Sequence, residues 1–231
     1  MRAPFLRAVA LGLWAVVLLQ SSVDGRLDLL LRRAFHPLVS AAGGVLLLLA
    51  LLQALGALRP GAAKDSAEEG RRDRPVAVIT ALMAALLIGL PPNPSFADLA
   101  SQRPSDETGN DTLTFVLPPA QRSLTDWVRL LRSQPDPRLF AGDPVRISGF
   151  VLPVEGEPPQ LARLLVRCCL ADATPVGLPV RWPADQPPPQ ADQWLMIEGR
   201  MAIDTLRGEE RLMVVPERLQ PIARPARPLE P

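Results

Sequence analysis

Three apolar stretches crowd the first 92 residues, and the remainder of the chain is a different kind of sequence. They run from about Phe5 to Leu19, from Leu38 to Leu58 and from Val76 to Leu90. A helix that crosses a bilayer needs roughly 20 apolar residues, with about 17 as the lower limit. The second stretch meets that requirement, and the first does once Gln20 to Val23 are counted. The third is marginal unless Pro75 and the Pro91–Pro92 pair sit at the interface. Beyond Pro91 no run is long enough to span. The pattern predicts a transmembrane anchor over 1–92, with spans at about 5–23, 38–58 and 75–91, carrying a single soluble domain.

The chain has length for one good core plus its anchor, not for two large domains. Its formal net charge is +1, so no electrostatic hold on nucleic acid is expected. Lys64 is the only lysine and tyrosine is absent, which reads as the codon bias of a GC-rich bacterium. Arg2 and Arg7 before the first apolar run fit a secretory signal. The adjoining Gln20-Ser21-Ser22-Val23 lacks a small-x-small cleavage site, so an uncleaved first helix is expected.

Orientation is set by Lys and Arg in short loops. With three spans, the N-terminal flank (Arg2, Arg7) and the second loop (Arg59, Lys64, Arg71, Arg72, Arg74) share a side. That side holds seven basic residues, two plus five, against three in the first loop, Arg26, Arg32 and Arg33. The N-terminus is expected inside and the soluble domain outside, in the extracytoplasmic space; if the third segment fails to cross, the domain falls inside. Within the second span, Ala41, Ala42, Gly43 and Gly44 form a small-residue patch that lets helix backbones approach closely. Gly43, Gly44 and Gln53 are the candidate contacts with a neighbouring helix or another membrane protein.

From 93 to 121 the chain reads as a linker, with a short strand at Leu113–Leu117. Next, Ser123 or Thr125 can cap a helix whose Leu124, Trp127, Val128 and Leu131 share one face. Five strands are predicted after it, at Pro144–Leu152, Leu161–Leu170, Val176–Trp182, Trp194–Ile203 and Arg211–Leu219, separated by turn-rich segments. Five short strands suit a small barrel, and the OB-fold is the common five-stranded choice. The fold class is thus a membrane-anchored α + β chain: three helices, then an OB-like β-barrel domain over 122–222 with one preceding helix, and a Pro-rich tail at 223–231. Gly149 and Gly199 stand late in similar strands, where a barrel strand bends. OB-folds that bind single strands need a basic groove with stacking aromatics. Here Phe150, Trp182 and Trp194 are few and the arginines are balanced by acids, which argues against nucleic acid as a partner.

Cys168 and Cys169 are the only cysteines and they are adjacent, so no disulfide scaffold is expected. Strand alternation places Cys168 toward the core and Cys169 at the rim. One reading makes them small packing residues. The other makes Cys168, Cys169 and Asp172 a soft-metal or redox site, with Zn the ion such ligands suit. A closed zinc site needs about four ligands, and the soluble part contains no His, so a complete site would be shared with a partner. His36, beside Pro37, reads as a boundary residue between the first two spans. Cys169 has no His in its domain, Ser123 and Thr174 have no local base, and Glu209–Glu210 falls in a turn; an enzyme is not expected.

The run from Arg167-Cys168-Cys169-Leu170-Ala171-Asp172 through Thr174-Pro175-Val176-Gly177-Leu178 to Trp182-Pro183 resembles the signature of the bacterial YcgQ-like family. Asp126-Trp127, Gly142 with Val145 to Val151, and Trp194 with Glu198-Gly199 extend the likeness. So do His36-Pro37, Gln53 and Leu90-Pro91-Pro92 in the anchor, so that it covers most of the chain. The resemblance implies a non-enzymatic subunit of a membrane permease complex, with a multi-span permease as partner, the lipid bilayer as its setting and a link to zinc homeostasis. Some relatives carry a His-rich loop between the second and third spans, whereas Arg59 to Arg74 contains no His or Cys. In the family His-Cys can also stand where Cys168-Cys169 stands, an exchange a metal ligand permits. The tail, Pro221 to Pro231, lacks the aromatic ending of the family. The expected function is an accessory subunit in the bacterial cytoplasmic membrane; the alternative is a stand-alone, membrane-anchored metal- or ligand-binding sensor module.

Overall fold

A computed structural model describes residues 3–57, 69–90, 93–103, 117–184, 187–206 and 208–230. The chain divides into two compact units, Met1–Asn93 and Pro94–Pro231.

The first unit is helical: α1 (Ala3–Val23), α2 (His36–Ala57) and α3 (Glu69–Gly89). Helix α1 packs against both α2 and α3. Small residues allow the close approach. A Cβ on Gly43 would fall 2.9 Å from Leu19 Cγ, and one on Gly12 would touch Ala50. Ser40 Oγ donates to Ser22 Oγ across the same seam at 3.1 Å. These pairs run in opposite senses along the two helices, which makes α1–α2 an antiparallel hairpin. Gly43 therefore serves the α1 contact, whereas Gly44 and Gln53 are exposed. The hydroxyls of Ser21, Ser22 and Thr80 bond to carbonyls one turn back, so none of these polar groups needs water.

Among the described residues, two helical stretches, Phe5–Val23 and Arg33–Gly56, are long and apolar enough to cross a membrane. Helix α2 presents a mostly apolar surface, with Leu47, Leu48, Leu49, Leu51, Leu52 and Leu55 exposed. The apolar part of α3, Pro75–Gly89, is shorter. At 1.5 Å per residue it covers only about 22 Å of a roughly 30 Å hydrocarbon layer. By itself it falls short of a span without its flanking residues.

The second unit is built on a mainly antiparallel sheet: β1 (Pro144–Val154), β2 (Glu157–Leu165), β3 (Thr174–Pro179), β4 (Trp194–Leu206), β5 (Glu209–Pro221) and β6 (Leu229–Glu230). The order is β3-β2-β1-β4-β5, with β6 parallel to β2 at its edge. The expected closed barrel is not what the strands form. The path ends at β3 and β5, joined by a single parallel bridge between Val180 and Val214 rather than by a ladder. Curvature comes from two glycines. A Cβ on Gly149 would meet the Ala162 carbonyl at 2.5 Å, and one on Gly199 the Val215 carbonyl at 2.1 Å. The β4–β5 register shifts at Glu198/Gly199, a bulge that lets the strand turn.

Two helices complete this unit, α4 (Phe96–Ser101) and α5 (Leu124–Ser133). Helix α5 opens on a capping box: Ser123 Oγ accepts from Asp126 N–H, and Asp126 Oδ2 accepts from Ser123 N–H. Its apolar face buries Leu124, Trp127, Val128 and Leu130 in the main core, which they share with Ile147, Leu178, Ile197 and Val214. Within the 93–121 stretch read as a linker, Ser95 caps α4. That helix buries Phe96, Ala97 and Ala100 with Phe150, Leu164 and Trp194 in a second cluster. Here the simple alternation of β1 fails: every residue from Gly149 to Leu152 is buried, because α4 covers the face that pattern assigns to solvent. The strand expected around Leu113–Leu117 falls on 104–116, outside the described residues.

Candidate metal centre

Strand β2 ends at Leu165, earlier than the expected Leu170, and the chain turns through Val166–Cys169 into a single 3-10 turn, Leu170–Asp172. The alternation that would turn Cys168 inward no longer applies. Cys168 is exposed and Cys169 half-buried, the reverse of the strand-based expectation. The buried anchors of the loop are instead Val166 and Ala173.

Asp172 organises the turn. Its Oδ1 accepts from Arg167 N–H at 2.8 Å, and its Oδ2 accepts from Cys168 N–H at 2.8 Å and Cys169 N–H at 3.3 Å. Partial burial opposes ionisation of this carboxyl. The hydrogen bonds from the Cys168 thiol and from the three backbone N–H groups outweigh it and hold the carboxyl at about 2. The same contact acts oppositely on the thiol. Its hydrogen bond to Asp172, then that to Cys169, push Cys168 up to about 12.

Cys168, Cys169 and Asp172 form one group whose donor atoms all lie within 4.8 Å of one another. The two sulfurs are 3.6 Å apart. Two thiolates sharing a tetrahedral ion at a Zn–S length of about 2.3 Å would stand about 3.8 Å apart. The pair thus already has nearly the bite such an ion requires, and the two-thiolate, one-carboxylate donor set fits zinc chemistry.

Composition gave no hint of two supports. Arg103, just past α4, donates through one guanidinium nitrogen to the carbonyls of Leu170 at 2.8 Å and Ala173 at 2.6 Å, clamping both ends of the 3-10 turn. Val166 N–H donates to the Glu230 carbonyl at 2.8 Å, so β6 fixes the point where the loop leaves β2. Both contacts join residues more than sixty positions apart, which no local pattern encodes. The remaining candidates stand elsewhere. Gly43, Gly44 and Gln53 belong to α2, and His36 Nε2 lies 3.3 Å from the Leu31 carbonyl at the start of that helix, as befits a boundary residue.

No curated protein and no solved structure matches the chain. Residues 120–228, a segment that holds α5, strands β1 to β5 and the whole cysteine turn, match the model of the family described as DUF1980 C-terminal domain, consistent with the resemblance to YcgQ-like proteins.

Proposed function

We propose that this protein is a non-enzymatic accessory subunit of a membrane permease complex. Helices α1 and α2 cross the bacterial cytoplasmic membrane and α3 completes a third, shorter crossing with the help of its flanking residues. The second unit is an OB-like domain, its sheet open between β3 and β5, held on the extracytoplasmic side. The observation that carries this reading is α2, whose exposed leucines on the face turned away from α1 call for lipid or another membrane protein as their solvent. Exposed Gly44 offers a close-approach point that α1 does not use. The OB-like assignment is supported by the strand order and by the parallel Val180–Val214 bridge, at the place where β3 and β5 of such a barrel would meet. The excess of basic residues before the first and third apolar stretches supports an inward N-terminus.

The test is purification of the full chain in mild detergent. Recovery of an unrelated multi-span membrane protein in equal amount is the expected result; a chain that always purifies alone refutes the subunit role.

The alternative, a membrane-anchored metal-binding sensor module, draws on the Cys168–Cys169–Asp172 group. It requires reduced full-length protein to retain about one zinc per chain, and the Cys168→Ser/Cys169→Ser double variant to retain none. Equal metal content in the two would remove it.

A further inference from the structure

The cysteine turn is an incomplete ligand set, and its incompleteness is specific. Two thiols and one carboxylate converge there, and among the described residues no other thiolate, imidazole or carboxylate joins them. The sequence holds only these two cysteines and one histidine, His36, which belongs to the helical unit. A fourth thiolate or imidazole donor therefore cannot come from residues 94–231. The turn is nevertheless well supported: Asp172 receives three backbone N–H groups, and Arg103 holds the carbonyls on either side. Cys168 is exposed to solvent, so a further donor can approach from that side.

The spacing also fits one class of ion. Sulfurs 3.6 Å apart suit a tetrahedral centre. A two-coordinate ion flanked on opposite sides by thiolates at about 2.3 Å would need them about 4.6 Å apart. Closed structural zinc sites use four protein ligands, whereas sites that exchange or activate a ligand use three and leave one position open.

From these observations we infer that Cys168, Cys169 and Asp172 form a three-donor, open-sided site for a tetrahedral divalent cation of the zinc class, whose fourth ligand is water or a donor supplied by another molecule. The inference rests on the metal-binding alternative and is independent of the permease partner. On binding, the two thiols release their protons to solvent and two metal–sulfur bonds form. Asp172 supplies the third bond through the oxygen that otherwise accepts the Cys168 thiol proton. The site is then one for receiving and handing on an ion, because the open position admits the donor that takes it away.

Cobalt(II) is the probe, titrated into the reduced full chain in detergent. The expected result is one ion per chain, with thiolate charge-transfer absorption and the intense visible bands of four-coordinate cobalt. Added imidazole should shift those bands as it enters the open position. Cys168→Ser and Cys169→Ser should each weaken binding at least about tenfold and reduce the charge-transfer band, and Asp172→Asn should weaken binding while keeping that band. Bound cobalt with weak six-coordinate bands, or with bands that imidazole leaves unchanged, would overturn the open three-donor site while leaving metal binding intact. Cobalt retention no greater than that of the Cys168→Ser/Cys169→Ser double variant would overturn both.

Discussion

Asp172 and Cys168 hold opposite ends of one hydrogen bond, and their acidities diverge accordingly. The carboxyl sits at about 2 against an ordinary 3.8, so its support of the turn is complete above about pH 4 and fades as pH falls toward 2. The thiol sits at about 12 against an ordinary 9.0, so its share is complete below pH 9 and is lost as pH rises toward 12. An exposed thiol that stays protonated is a poor nucleophile. Replacing Asp172 with Asn removes the main cause of the shift. Alkylation of Cys168 at about pH 8, read by mass spectrometry of the labelled peptide, should accelerate about tenfold in that variant; lower intrinsic nucleophilicity offsets part of the larger gain in thiolate. An unchanged rate would mean that this hydrogen bond does not set the reactivity of the thiol.

Among the elements, β4 shows how a glycine can fix curvature. The atoms that a Cβ on Gly199 would strike, the Val215 carbonyl and Pro216 Cα, belong to backbone and cannot swing aside. Gly199→Ala should therefore cost about 2–4 kcal/mol, measured by denaturant unfolding of the full chain, whereas Gly44→Ala, with open space around it, should cost little. The places of strands β1 to β5 and of α5 were legible in the sequence, because apolar alternation, turn residues and the Ser123 cap are local signals. The edges were not. Strand β2 begins at Glu157 and stops at Leu165 because Asp172 captures the N–H groups just beyond it, which moves the cysteine pair from strand to turn. Helix α4 is too short to show a period, and its contact with Phe150 and Trp194 is purely tertiary. The residues of the metal group were legible as a cluster of ligand types. Their exposure, their bite and the Arg103 clamp were not, since each depends on where β2 ends.

At the scale of the whole second unit, the Pro-rich tail is a structural part of the sheet rather than an appendage. Arg163 is almost fully buried under β6. It donates to the Ser148 carbonyl at 2.8 Å and Ser148 Oγ at 2.7 Å, lies over the Trp194 ring at 5.0 Å and pairs with Glu230 at 3.5 Å. Glu230 in turn accepts from Thr125 Oγ1 on α5, so one carboxylate joins the tail, the sheet and the helix. Desolvation lowers the pKa of Arg163, and the charge of Glu230 opposes that. Glu230→Ala would leave a buried guanidinium without its counter-charge and should cost about 3 kcal/mol in denaturant unfolding. Adding Arg163→Met should restore part of that loss; a double variant as unstable as the sum of the two would argue that the pair is not coupled.

Strands β1 to β3 and strands β4 to β5 are each local ribbons, and the segment between them, Pro183 to Gln193, is proline-rich enough to resemble a domain boundary. It is not one. Strand β1 finds its second neighbour in β4, with Ile147 opposite Ile197, and the shared core draws on both ribbons. The two-stranded β4–β5 ribbon alone is at best marginally stable in water. A protein cut at that loop would release a β4–β5 fragment able to regain its shape only by finding β1 again.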